Sequence, residues 1–206
     1  MNQLESCLLC GKRLNALINW STLLQRYPQA ICLDCHEQFI RMNQTEDEIY
    51  CLYQYNDKMK QYFKQYKFQQ DVVLAMIFAE TINRYFQQIL KQNPRMKIVP
   101  IPLHSENEQK RTFSQVETLL QVADIKYESI LVKQSAEQQA KKTRKERLMT
   151  KNLFCASREV VGESFVVFDD IKTTGVTLHL AKQTLLDAGA KKVKLVALAG
   201  GIKGII

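Results

Sequence analysis

The stretch that decides the fold is FVVFDDIKTTGVT, which runs from Phe165 to Thr177. Its first four residues, up to Phe168, form a continuous apolar run, which is typical of a sheet strand covered on both faces. Two acids, Asp169 and Asp170, follow at the carboxyl end of this predicted strand, where open α/β sheets bind ligands. The stretch therefore predicts a strand, a loop and a helix arranged around a ligand site.

The loop after the two acids has the composition of a phosphate cradle. Thr173, Thr174, Gly175 and Thr177 lead into the predicted helix, so that hydroxyl groups and free backbone N–H groups share one space. Such N–H groups bind anions, and the helix dipole adds to the attraction. The alternative interpretation is a solvated strand end followed by an ordinary helix start. The complete order of strand, two acids, T-T-G-x-T and helix favours the cradle.

Two carboxylates beside a phosphate cradle require a particular kind of ligand, because carboxylates repel a phosphate. A ligand that also carries sugar hydroxyls and a divalent cation satisfies both groups, and Mg²⁺ prefers carboxylates, water and substrate phosphates. A ribose 5-phosphate bearing a pyrophosphate fits these demands. The chain contains neither G-x-x-x-x-G-K-[ST] nor G-x-G-x-x-G, which excludes an ATPase P-loop and a Rossmann fingerprint.

Strand and helix patterns alternate along the rest of the chain, which predicts an α/β fold with a parallel sheet flanked by helices. A helix is expected from Asp71 to a point before Pro94, and another from Ser114, in a capping box with Glu117, through Ala123. The remaining elements are predicted strands at Ile98 to Pro102, Tyr127 to Val132 and Val193 to Leu198, and a helix at Thr177 to Ala188.

Four of the six cysteines are paired in CxxC motifs, and 21 residues separate the pairs. This spacing is close to that of a structural zinc ribbon, in which four thiolates saturate the metal. His36 could replace one ligand, and buried cysteines placed by chance are the alternative; the remaining Cys51 and Cys155 are expected in the core. The sequence therefore predicts a zinc-binding module at residues 1–50, before a second domain at residues 51–206, with Cys7, Cys10, Cys32 and Cys35 as ligands.

Composition is that of a soluble globular protein with a basic surface. The chain has 206 residues, a hydrophobic fraction of 46% and a net charge of +8. No apolar run approaches the roughly 18 residues that a membrane helix needs, and the start lacks the basic and apolar regions of a signal peptide. We therefore expect a cytoplasmic location. A basic surface favours polyanions, which include nucleic acid, phosphorylated metabolites and acidic proteins.

Two stretches combine positive charge with features that bind nucleic acid. Tyr53 to Phe68 interleaves six aromatic residues with lysines, as a single-strand binding surface would, although rings packed inward beneath solvated lysines are the favoured interpretation. Gln138 to Lys151 is predicted to be a basic loop or exposed helix, either a solvated charge run or a loop that closes over a reacting centre. The candidate contacts are Lys58, Lys60, Lys64 and Lys67 in the first stretch, and Lys141, Lys142, Arg144, Lys145 and Arg147 in the second.

Motifs along nearly the whole chain resemble those of the ComF family of competence proteins, whose fold is of the phosphoribosyltransferase type. They are CLLC and CLDC near the start, VPIPLH, RTFSQ, QQAKKTRKER with the later NLF, and VVFDDIKTTGVTL, in the family's order. The resemblance implies that Asp169 and Asp170 bind ribose hydroxyls and that Leu103 and His104 lie near the pyrophosphate. It also implies a loop for the 5-phosphate, formed by Lys172, Thr173, Thr174, Gly175, Val176 and Thr177.

The resemblance implies a cytoplasmic factor that assists the uptake or processing of single-stranded DNA during natural transformation. An ATP-driven competence helicase is the expected partner, in agreement with the missing P-loop. The alternative is an active phosphoribosyltransferase that joins a nucleobase or an amine to ribose phosphate. Such chemistry requires magnesium, positioning and charge stabilisation more than particular side chains.

Overall fold

The apolar runs of the sequence pair into one five-stranded sheet and one small hairpin-like sheet. The computed structural model describes residues 4–14, 26–42, 45–46, 48–68, 71–103, 113–133 and 153–201. Its strands are β1 (Thr45–Glu46), β2 (Ile49–Gln54), β3 (Met96–Pro100), β4 (Leu131–Lys133), β5 (Phe154–Ala156), β6 (Ser164–Lys172) and β7 (Lys192–Gly200). The large sheet has the order β1-β2-β7-β6-β3, and all its neighbours are parallel except β1 and β2. The parallel α/β fold is therefore confirmed.

Helices connect these strands, and the sequence explains where they begin. The Asn56 side chain accepts a hydrogen bond from the backbone N–H of Met59 at 3.0 Å, which caps the first helix after β2. The longest helix buries one stripe, Phe78, Ile82 and Phe86, at the spacing of an amphipathic helix. The helices are α1 (Leu33–Glu37), α2 (Asp57–Phe63), α3 (Met76–Gln92), α4 (Gln115–Val122) and α5 (Val176–Asp187), with a π-helical turn at Lys64–Phe68 and a 3₁₀ turn at Val72–Ala75.

The core lies on both faces of the sheet. Alternate residues of a strand point to opposite faces, and β6 accordingly places Val166 and Phe168 in one buried cluster and Phe165 and Val167 in the other. The first cluster includes residues of α2, α3 and α4, and the second includes residues of α5, β4 and β5. Helices thus cover both faces, as the continuous apolar run predicts.

The cysteine-rich segment shares the first of these clusters. Its Phe39 ring packs edge-on against Phe78, at 5.1 Å between centroids, and against Tyr53 and Tyr62 at 6.3 and 6.4 Å. The Tyr27 hydroxyl also donates a hydrogen bond to the carbonyl of Ala123 after α4, at 2.9 Å. A segment too small for its own core therefore adds its apolar residues to that of the sheet. The domain boundary at residue 50 stays a prediction.

Most predicted elements are present, with three corrections. β3 begins and ends two residues before the predicted strand. Ser114 is the N-cap residue of α4 but makes no side-chain cap, and Glu117 accepts a hydrogen bond from Ser129 instead. The predicted strand at Tyr127 to Val132 is wrong over most of its length: only Leu131–Lys133 is a strand, and it pairs antiparallel with β5 outside the parallel sheet. None of the described helices is long and apolar enough to cross a membrane.

We expect Phe168→Ala to lower the free energy of unfolding by about 3–5 kcal/mol, because a fully buried ring leaves a cavity when it is removed. The ring packs edge-on against Phe86 of α3 at 5.3 Å between centroids, where that helix covers the sheet. Chemical denaturation measures the change. Val73→Ala is the control, since that side chain is 47% exposed and its loss should cost about 0.5 kcal/mol or less. Equal effects of the two substitutions would contradict the central place of β6 in the core.

Candidate ligand cradle and metal centre

Strand β6 is longer than predicted, so Asp169 and Asp170 lie within the strand rather than after it. The ladder with β7 continues as far as Lys172, which is in register with Gly200. On the other side, β3 ends at Pro100 opposite Phe168, and the next backbone N–H donates to the carbonyl of Phe168 at 2.9 Å. The two acids therefore project beyond the last pair with β3 while β7 still supports them. Rigid strand backbone, not a loop, sets their positions.

The environment of Asp169 disfavours its charge. Asp169 is half-buried as a residue, and desolvation of its carboxyl raises the pKa to about 7. The neighbouring charge of Asp170 adds to the shift. The backbone N–H of Asp170 donates to Asp169 Oδ1 at 2.8 Å and opposes the shift, as do the charges of Lys67 and Lys133. The carboxyl therefore gains or loses a proton near neutral pH.

Asp170 is buried, with 6% of its surface exposed, and it forms an ion pair with Lys67. Lys67 Nζ lies 2.7 Å from Asp170 Oδ2, and the lysine side chain is only 18% exposed. The same ammonium lies over the ring of Phe63, 5.0 Å from its centroid. Lys67 is about a hundred residues from the cradle in the chain, so no local sequence pattern could predict their contact. Only the fold brings this cation to the site.

The loop between β6 and α5 has the backbone shape that its glycine predicts. Gly175 has a φ of +79°, and a Cβ at this position would lie 2.6 Å from Ile49 Cδ1. Both constraints require glycine. The helix begins at Val176, where its free N–H groups face the loop. Thr173 and Thr174 are exposed, whereas Lys172 is buried at 5% exposure.

The other predicted ligand residues are placed only in part. Leu103 is half-buried and follows β3, at the same edge of the sheet as Asp169. The predicted pyrophosphate contact His104 lies outside the described residues. So does the whole second basic stretch, with Lys141, Lys142, Arg144, Lys145 and Arg147.

The four paired cysteines of the N-terminal segment come together in one cluster. All four Sγ atoms lie within 4.8 Å of one another, and Cys10 Sγ and Cys32 Sγ are 3.7 Å apart. A tetrahedral zinc ion with Zn–S bonds of about 2.3 Å requires sulfur separations of about 3.8 Å. Gly11 forms the predicted tight turn, with a φ of +72°. His36 is not in this cluster, so the four cysteines can hold a metal ion such as zinc.

The thiols of this cluster differ in acidity. Burial acts to raise the pKa of Cys7, but backbone hydrogen bonds from Cys32, Cys10 and Leu9 outweigh it and lower the pKa to about 6. Burial raises the pKa of Cys35 to about 12, and the neighbouring thiols add to the shift. Four adjacent thiolates repel one another, and a divalent cation would remove that repulsion. The donor set therefore fits a soft, closed metal site better than a catalytic one.

The aromatic residues of the first basic stretch are mostly core residues. Tyr53, Tyr62, Phe63 and Tyr66 are buried, which confirms the packing interpretation for these four. The lysines have different environments. Lys58 donates a hydrogen bond to the Gln61 side chain at 3.3 Å, and Lys67 pairs with Asp170, whereas the exposed lysines on this segment are Lys60 and Lys64.

Comparison with known proteins agrees with this geometry. Residues 69–205 match the phosphoribosyl transferase domain, a match that includes β3, β6, β7 and the cradle. Similar solved structures include an HGPRT-ase from Leishmania tarentolae in complex with GMP, with 14% identity and a TM-score of 0.38 over 67% of this chain and 72% of that one. A hypoxanthine phosphoribosyltransferase from Staphylococcus aureus has 14% identity and a TM-score of 0.37 over 62% and 68%. The family match over residues 69–205 places the chain in the class of phosphoribosyl transferase domains.

Two curated proteins are similar over most of their length. The competence protein ComFC of Streptococcus pneumoniae (strain ATCC BAA-255 / R6) is 30% identical over 220 residues, which cover 93% of this chain and 98% of that protein. The competence protein ComFC of Bacillus subtilis (strain 168) is 30% identical over 195 residues, which cover 89% and 78%. The chain belongs to the ComF family of competence proteins.

We expect Cys10→Ser to remove bound zinc and to lower the unfolding temperature, because a site that has lost one of four thiolates binds the metal weakly and metal binding contributes folding energy. Elemental analysis of the purified protein should find about one zinc ion per chain in the wild type. Cys155→Ser is the matched control, since its half-buried thiol donates to the carbonyl of Val132, away from the cluster. A Cys10→Ser protein with full zinc content would contradict the four-cysteine site.

Proposed function

We propose that this chain is a competence factor that binds a phosphoribosyl-pyrophosphate-type ligand in its cradle and assists single-stranded DNA in the cytoplasm during natural transformation. The observation that carries the ligand part is the arrangement at the carboxyl edge of the sheet. Two acids on β6 stand next to a loop with an obligatory glycine, and the loop leads directly into the N-terminus of α5. Membership of the ComF family supports the role in competence.

The chemistry of the cradle supports a ribose phosphate. The N–H groups before α5 and the hydroxyls of Thr173, Thr174 and Thr177 suit a 5-phosphate. Asp169 and Asp170 accept hydrogen bonds from the ribose hydroxyls. The carboxyl edge beyond β3, where Leu103 lies, receives the pyrophosphate, with His104 as the other proposed contact, and magnesium supplies the positive charge that the pyrophosphate oxygens need. Zinc in the cysteine cluster has a structural role only.

The DNA part of the proposal rests on charge. Lys60 and Lys64 are exposed on α2 and its π-helical continuation, and the chain as a whole carries a net charge of +8. Contacts of this kind bind phosphates without reading sequence. The four buried rings of the same stretch do not stack on bases, so these lysines act as phosphate contacts alone. A competence helicase is the proposed protein partner.

An active phosphoribosyltransferase is the second candidate function. One observation favours it: the pKa of Asp169 is raised to about 7, so that this carboxyl can exchange a proton near neutral pH beside the proposed ribose site. Release of pyrophosphate from phosphoribosyl pyrophosphate on addition of a nucleobase or an amine would distinguish transfer from binding.

At a pH well above 7, where the carboxyl is ionised, we expect Asp169→Asn to weaken the binding of phosphoribosyl pyrophosphate with magnesium by about 10- to 100-fold, because hydrogen bonds to a charged group contribute about 1.5–3 kcal/mol. The asparagine keeps an oxygen for the N–H of Asp170, so the strand should retain its geometry. Titration calorimetry measures both affinities. Asp187→Asn is the control, because it removes the same charge from an exposed position at the end of α5. A wild-type protein that does not bind the ligand would disprove the ligand proposal.

We expect transformation to be lost in a deletion strain and in a strain with Asp169→Asn and Asp170→Asn together. A strain with Lys60→Gln and Lys64→Gln should transform less efficiently, since fewer phosphate contacts weaken DNA binding at cellular salt. Colony counts after uptake of a marked DNA measure all three, and immunoblots confirm equal protein levels. Normal transformation of the deletion strain would rule out the competence role. Normal transformation of the lysine variant would remove these two residues from the DNA contacts.

A further inference from the structure

The ion pair between Lys67 and Asp170 lies inside the proposed ligand site. Its 2.7 Å separation and the low exposure of both side chains show that it is not an ordinary surface pair. A buried carboxylate offers about four acceptor positions on its two oxygens, so a lysine at Oδ2 leaves room for ligand hydroxyls. Any hydroxyl that reaches Asp170 therefore comes close to the ammonium of Lys67.

Several elements hold Lys67 in this place. It belongs to the π-helical turn Lys64–Phe68, a conformation that is frequent at functional sites. The Phe63 ring lies below its ammonium. Its neighbour Tyr66 is fully buried, donates a hydrogen bond to the carbonyl of Gln115 at 2.8 Å, and packs on the ring of Phe113 at 5.5 Å. The turn is thus fixed between the cradle and the start of α4.

The charge of Lys67 acts on both acids of the cradle. It pairs directly with Asp170, and it also lowers the pKa of Asp169 against the effect of burial. A magnesium ion at the ribose hydroxyls would occupy the space next to the same carboxylates and would have to displace this ammonium. The cradle already contains the positive charge that such an ion would supply there.

We propose that Lys67 is a ligand-site residue which takes the place of a divalent cation at the ribose hydroxyls, so that magnesium serves only the pyrophosphate. This inference rests on the proposed phosphoribosyl ligand. It follows that ribose 5-phosphate, which has no pyrophosphate, binds to the cradle without any metal. Phosphoribosyl pyrophosphate still binds more tightly with magnesium.

The test compares ribose 5-phosphate binding in EDTA and in magnesium, by titration calorimetry on the full chain. The wild type should have the same dissociation constant within about twofold in both conditions. Lys67→Met should weaken binding about tenfold or more in EDTA, because a contact with a charged group is lost. Magnesium should restore part of that affinity at the vacated carboxylate, which a merely structural role would not produce. The matched control is Lys91→Met, an exposed lysine in the last turn of α3, which should bind as the wild type does.

Thermal unfolding and zinc content of each variant show whether it is folded. Lys67→Arg provides a second variant that keeps the charge, and it should retain more affinity in EDTA than Lys67→Met. The inference alone is overturned if the wild type binds phosphoribosyl pyrophosphate with magnesium but needs the metal equally for ribose 5-phosphate, or if folded Lys67→Met binds ribose 5-phosphate as the wild type does in EDTA. A wild type that binds neither ligand under any condition overturns the proposed function together with this inference.

Discussion

The arrangement of the molecule depends on one strand that is buried on both faces and hydrogen-bonded on both sides. β6 pairs with β3 over its apolar half and with β7 along most of its length, so its backbone has little freedom. Its apolar residues fill both core clusters, which forces the two acids that follow to a fixed place at the carboxyl edge. A ligand site built on such a strand is already organised before the ligand arrives.

Two carboxylates at the end of a buried strand place negative charge where solvation is poor, and the fold reduces or compensates that charge in two ways. Asp169 has a pKa raised to about 7 and is able to hold a proton, whereas Asp170 receives a lysine from a distant part of the chain. If Asp169 could not hold a proton, or if Lys67 were absent, an uncompensated charge would remain at a poorly solvated position. The segment that supplies Lys67 is held in place by its buried tyrosines, since Tyr62 packs on Phe78 and Tyr66 on Phe113.

The segment from α2 to the π-helical turn connects the cysteine-rich segment to the candidate cradle. Its Tyr62 ring packs on Phe39 of the cysteine-rich segment, and Lys67 near its end pairs with Asp170. The cysteine-rich segment and the cradle are therefore linked through one short run of helical backbone. Phe39 also packs on Phe78 in the core, so the cysteine-rich segment supports the helix that delivers a cation to the cradle.

The sequence by itself determined the features that depend on neighbouring residues. The strand, acids and loop at Phe165 to Thr177, the four-cysteine spacing and the long helix before Pro94 follow from local patterns, and the structure contains each of them.

Only the tertiary structure decided what the lysines between Tyr53 and Phe68 do. Composition predicts a basic surface there, yet Lys67 is turned inward to Asp170, while Lys60 and Lys64 remain exposed. Likewise, the residues after Tyr127 that form a strand, Leu131–Lys133, were decided by the pairing with β5. Charge pairing and strand pairing join residues that are far apart in the chain, and no local pattern records which partner the fold will bring into contact.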